Sequence, residues 1–209
     1  MKSFLSRIAL GLILGLSLAA APLAQAADPA YDVVEPAQPS DSPGKIEVLE
    51  FFAYTCPHCK AIEPLVEKWV PTLPADVAFK SVPVAFNASM QDLQKLYYAL
   101  EALGRLDLHA AVFRAIHDEH QRLFKADAII DWVAQQGVDR QAFTDAFNSF
   151  GVKTRVTRAD ELAKAYHIDG TPSLAIGGRY VTSPSHTGTY QGAIDEADKL
   201  VKQILAEKK

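Results

Sequence analysis

The segment Ile46-Glu47-Val48-Leu49-Glu50-Phe51-Phe52-Ala53-Tyr54-Thr55-Cys56-Pro57-His58-Cys59 decides the reading of this chain. Its first nine residues carry apolar side chains on both alternating faces, as a central strand covered on both sides requires. Glu50 interrupts one of them, sharing the face of Ile46, Val48 and Phe52. Pro57 suits the first position of a helix, because its missing N–H would have no partner there and its fixed φ already matches. Cys56 is then the N-cap residue. A cap atom faces the free N–H groups of the first turn, here those of His58 and Cys59, and the positive end of the helix dipole. Both favour a thiolate and lower the Cys56 pKa below the ordinary ~8.5. Cys59 lies deeper in the helix and is expected to be buried. One sulfur exchanges with a partner; the other closes the ring.

Whatever stabilises the reduced Cys56 makes a Cys56–Cys59 disulfide easier to reduce, and so a stronger oxidant. His58 can add to this as a cation or by donating a hydrogen bond toward the Cys56 sulfur. Its alternative is an exposed turn residue with no electronic effect. Other uses of a Cys-x-x-Cys pair fit poorly. Haem attachment needs His after the second cysteine, and this chain has Lys60. These are the only two cysteines in the chain, too few for a disulfide scaffold or a four-thiolate zinc site. His117 and His120 could share a helix face, but their setting reads as a solvated helix end, and no metal site is expected. A purely structural disulfide would close too short a loop to constrain the unfolded chain much.

Working outward, Lys60 to Val70 continues as a helix with Pro64 inside it, and Asp76 to Phe86 returns as a second strand. From Ser89 to about His167 the apolar period is helical, as in Leu93, Leu96, Tyr97, Leu100 and Leu103. Breaks at Gly104, Lys125, Gly137 and Gly151 divide it into about five helices, the last near Thr157 to Tyr166. Ser173 to Ile176, a Gly177-Gly178 turn and a strand through Val181 read as a hairpin. An amphipathic helix over Ala193 to Leu205 follows. The pattern is α/β with a helical block inserted between residues 87 and 167.

Ahead of the strand, residues 27 to 44 hold Pro29, Pro36, Pro39, Pro43 and Gly44, which suits a mobile or extended arm rather than a packed element. Residues 1 to 26 combine Lys2 and Arg7, an apolar run from Ile8 to Ala21, and Ala24-Gln25-Ala26, the pattern of a secretory signal peptide cleaved after Ala26. A membrane anchor is the alternative, though the run is short of the ~20 residues that span hydrocarbon. In the whole chain of 209 residues, 21 Lys plus Arg face 25 Asp plus Glu, a formal charge of -4 that offers nothing to hold a nucleic-acid backbone. The 49% hydrophobic content is that of a globular protein rather than a disordered one.

Taken together, Leu49-Glu50-Phe51-Phe52, Cys56-Pro57-His58-Cys59, Pro64 in the following helix, the helical insertion and Gly170-Thr171-Pro172-Ser173 resemble the DsbA family of the thioredoxin superfamily. The resemblance covers nearly the whole chain after the leader. It implies a thioredoxin-like fold with an inserted helical domain, the thioredoxin-like part being residues 45–86 and 168–209. It implies a periplasmic, monomeric thiol:disulfide oxidoreductase without cofactor, using Cys56 and Cys59 as redox pair and Pro57, His58, Glu50, Thr171 and Pro172 in support. Its partners would be reduced, unfolded exported proteins and a DsbB-type membrane oxidase. The Thr171–Pro172 bond would be cis beside the cysteines, leaving the Thr171 backbone free to pair with an extended substrate; an ordinary trans proline opening an edge strand is the alternative.

Glu50 would lie beneath the cysteines, its pKa raised by burial, and move the proton of Cys59. Its alternative is an acid reaching solvent at a sheet margin. Where the family often places a lysine opposite this acid, the alignment puts Ser81, with Lys80 one residue away and therefore on the other face.

Overall fold

The computed structural model describes residues 29–207; the expected signal peptide lies outside them. The elements run β1 (Asp32–Val33), β2 (Ile46–Phe52), α1 (Pro57–Trp69), β3 (Val77–Pro83), α2 (Gln91–Ala102), α3 (His109–His117), α4 (Ala126–Gln135), α5 (Arg140–Phe147), α6 (Phe150–Ala165), β4 (Ser173–Ile176), β5 (Tyr180–Thr182), α7 (Pro184–Thr187) and α8 (Tyr190–Glu207). The sheet order is β1-β5-β4-β2-β3, with β2 and β3 parallel and the other neighbours antiparallel. All seven residues of β2 are buried, the consequence of a central strand with apolar layers on both faces. Ile46 and Val48 pack with Ile62 and Val66 of α1 and with Ala197, Leu200 and Ile204 of α8. Leu49 and Phe51 join the second core, which Leu96, Phe113, Ile129, Phe143 and Phe147 of the helical block fill.

Several expectations are corrected. The stretch 27–44, read as an unpacked arm, supplies an edge strand: Asp32 and Val33 pair with Val181 and Tyr180 of β5, and Val34 is buried. The arm then crosses the β4–β5 turn, where Gln38 N donates to Gly178 O at 2.8 Å. A Cβ on Gly178 would stand 2.1 Å from the Gln38 carbonyl oxygen, so this close approach requires glycine. Farther along, Arg158 of α6 clasps Asp41 with two hydrogen bonds of 2.8 and 2.9 Å. Gly151 does not break the helical block; α6 runs through it from Phe150, and the break falls at Ser149, whose Oγ caps the helix by accepting from Val152 N at 3.1 Å. The short α7 was not anticipated. His117 ends α3 and His120 lies beyond it with φ 55°, so the two do not share a helix face.

Candidate active site

Cys56 caps α1 in an extended conformation (φ -89°, ψ 116°), with Pro57 in the first turn. As a thiol it makes no capping bond; its Sγ instead donates to the Thr171 carbonyl oxygen at 3.2 Å. Ionisation reverses the preference. Of the influences that lower its pKa, the side-chain hydrogen bond from Cys59 is the largest, followed by one from the Thr171 side chain and by the backbone N–H groups of Cys59 and His58. Against some desolvation, these bring the Cys56 pKa down to about 5. Cys59 is fully buried and accepts from Ala53 N at 3.5 Å. Burial, then the hydrogen bond it gives Cys56, push its pKa up. Both cysteines are free thiols, and they are unequal in the sense the sequence suggested.

The Thr171–Pro172 peptide is cis, and Thr171 and Pro172 line a groove of about 1090 Å³ together with His58, Ile168, Tyr166 and Tyr190. The groove therefore reaches the residue that bonds the Cys56 sulfur. His58 departs from expectation: its Nδ1 is hydrogen-bonded to the Tyr190 hydroxyl at 2.7 Å, and the imidazole makes no hydrogen bond to Cys56. What His58 contributes to the thiolate is its backbone N–H. Tyr190, at the start of α8, carried no signal in the sequence.

Glu50 sits opposite Ser81 in the parallel register and accepts from the Ser81 hydroxyl at 2.9 Å, while its Oε1 is buried without a partner. Lys80 points to the other face and pairs with buried Glu47 at 2.6 Å, where Ser42 also donates at 2.9 Å. Burial first, and the nearby Glu63 carboxylate second, raise the Glu50 pKa to about 8; the Ser81 bond opposes them. No hydrogen bond joins Glu50 directly to Cys59. Glu63, one helical turn after Cys59, is itself buried, as are His109 and Tyr54. The spacing Cys59 to Glu63 was visible in the sequence, whereas the approach of His109 was not.

A parallel β–α–β unit extended by an antiparallel hairpin, with an acidic cap cysteine, a buried second cysteine and a facing cis-proline, defines a dithiol–disulfide oxidoreductase of the thioredoxin type. The chain belongs to the family of the DSBA-like thioredoxin domain, whose model matches residues 47–197. It is 59% identical to a thiol:disulfide interchange protein DsbA of Bordetella parapertussis over 83% of each chain. A DsbA of Burkholderia cepacia is 42% identical over the full length of both chains. The crystal structure of Pseudomonas aeruginosa DsbA superposes with a TM-score of 0.82 at 37% identity, covering 86% of this chain and 95% of that one. The activity of this chain is thiol:disulfide interchange.

Proposed function

We propose that the chain works as an oxidase of exported proteins in the periplasm, as a monomer, with Cys56 as the exchanging sulfur. A substrate thiolate attacks Cys56 Sγ of the Cys56–Cys59 disulfide, and the S–S bond breaks with Cys59 leaving as a thiolate. Buried Cys59 takes up a proton, which Glu50 supplies by way of its unpartnered Oε1. A second substrate thiolate then attacks the substrate sulfur of the mixed disulfide, and Cys56 leaves as the stabilised thiolate. Two electrons have moved from the substrate thiols to the cysteine pair. A DsbB-type membrane partner would reoxidise it, since the cycle needs an external electron acceptor.

The extended substrate pairs with the Thr171 backbone and fills the groove beside Pro172. The segments 45–86 and 168–209 act as the thioredoxin-like domain, with 87–167 as its helical insertion. The observation that carries the direction of reaction is the Cys56 pKa of about 5, because stabilising the dithiol form makes the disulfide the stronger oxidant. Equilibration of the pair with glutathione mixtures tests it. A potential in the range near -120 mV, the value known for DsbA itself, is expected; one near the roughly -270 mV of thioredoxin overturns the oxidase reading.

A further inference from the structure

Where α3 ends, two successive side chains reach the segment that carries the redox pair, and the exchange steps above use neither. His117 Nε2 lies 2.8 Å from the Tyr54 carbonyl oxygen, and Asp118 pairs with Lys60 of α1. Tyr54 stands two residues before Cys56, and Lys60 directly follows Cys59. The helical insertion therefore grips the Cys56–Cys59 segment on both sides.

The two grips are unequal. Lys60 and Asp118 form an exposed ion pair, a kind worth little. His117 is half-buried, and its ring stacks on Phe113, one turn earlier on the same face of α3, at 6.3 Å between centroids and 26° between planes. Phe113 is core, and its ring meets the buried Tyr54 ring at 5.0 Å. A carbonyl oxygen only accepts, so His117 Nε2 carries a proton and donates it. Nε2 is protonated in this tautomer and in the imidazolium alike, so the bond does not depend on the charge of the ring. The Tyr54 oxygen lies past β2 and before α1, and it has no backbone partner among the described residues. His117 thus satisfies an acceptor that neither element reaches.

That carbonyl belongs to the turn Ala53–Cys56, which Cys56 N closes by donating to Ala53 O at 2.9 Å. The same turn touches the second cysteine, since Ala53 N donates to Cys59 Sγ at 3.5 Å. Cys56 Sγ hangs from the end of the turn. Its bonds to the N–H groups of α1 and to Thr171 weaken steeply with changes in distance and angle. We propose that His117 is a positioning residue for the interchange reaction: by holding the Tyr54 carbonyl, it fixes the turn that presents Cys56 to the N-terminus of α1 and to Thr171. The sulfur has to change partners between Cys59 and a substrate thiol while the turn stays still, and His117 is the side chain that holds the turn from the helical insertion.

This role rests on Cys56 as the exchanging sulfur, and the test separates the two. The reduced native protein is alkylated with iodoacetamide near pH 6 and mapped by mass spectrometry; label on Cys59 instead of Cys56 overturns the Cys56 reading itself. The His117 role is read from thiolate absorbance near 240 nm during titration and from equilibration of the pair with glutathione mixtures. His117→Leu keeps apolar bulk against Phe113 but has no donor. It should raise the Cys56 pKa from about 5 by about one unit and shift the glutathione equilibrium about tenfold toward the disulfide. His117→Ala serves in its place if His117→Leu does not fold. His117→Gln puts an amide N–H where Nε2–H stood and should restore both values. Asp118→Asn, which breaks the exposed pair alone, should leave both at their native values. With label on Cys56, the His117 role alone is overturned if the apolar variants change neither value, if His117→Gln restores neither, or if Asp118→Asn moves them as far as His117→Leu.

Discussion

At the scale of single residues, the site works because two sulfurs three positions apart meet opposite surroundings. Cys56 sits where free N–H groups and a thiol converge, and Cys59 where Ala53 N–H is opposed by burial. Of the donors to Cys56, the His58 N–H can be removed without touching a side chain of the redox pair. His58→Pro should raise the Cys56 pKa from about 5 by about one unit, read from thiolate absorbance near 240 nm during titration. A midpoint that stays at about 5 would show that the backbone donor is inert. The substitution also frees the Tyr190 hydroxyl, which lies on α8 and is not among the groups that act on Cys56.

At the scale of elements, strand alternation carried the sequence reading furthest. The alignment implied by the family resemblance put Ser81 opposite Glu50, and the period of two turned Lys80 away; the register Glu50↔Ser81 and the Lys80–Glu47 pair show both. Helical periodicity likewise found the block between β3 and β4, and it erred at Gly151, where a serine cap outweighs one glycine in the first turn. Contacts between distant segments left no periodic trace. A two-residue β1 pairs with β5 nearly 150 residues later, and His109 meets Glu63 and Tyr54 across about 50 residues, each settled by tertiary packing. The crossing of the arm over Gly178 can be weighed directly. Gly104 and Gly178 both have positive φ, but only Gly178 faces backbone within 4 Å. Gly104→Ala should cost about 1 kcal/mol for its φ alone. Gly178→Ala should cost at least about twice as much and lower Tm by several degrees more. Equal losses in thermal melts would mean that the arm yields without resistance.

At the scale of the whole molecule, the redox state of one capping sulfur is linked to global stability, because α1 and the Thr171 loop that flank it belong to the folded state alone. In the unfolded chain Cys56 titrates near its ordinary 9.0, and in the folded dithiol near 5. A depressed pKa contributes stability that is complete above the unfolded value and is lost as pH falls through the folded one. The disulfide form has no such group to titrate, so the difference in Tm between dithiol and disulfide forms isolates this contribution. It should be flat below pH 5, rise between about 5 and 9, and favour the dithiol form at pH 7. The ideal slope is about 1.4 kcal/mol per pH unit, and solvent screening at the half-buried sulfur reduces it. For a domain of this size that corresponds to about 2 °C per pH unit. Calorimetry of both forms from pH 4 to 9 measures it. A difference that does not change across that window would detach the acidity of Cys56 from the fold, and would leave the proposed oxidising direction of the reaction without its thermodynamic cause.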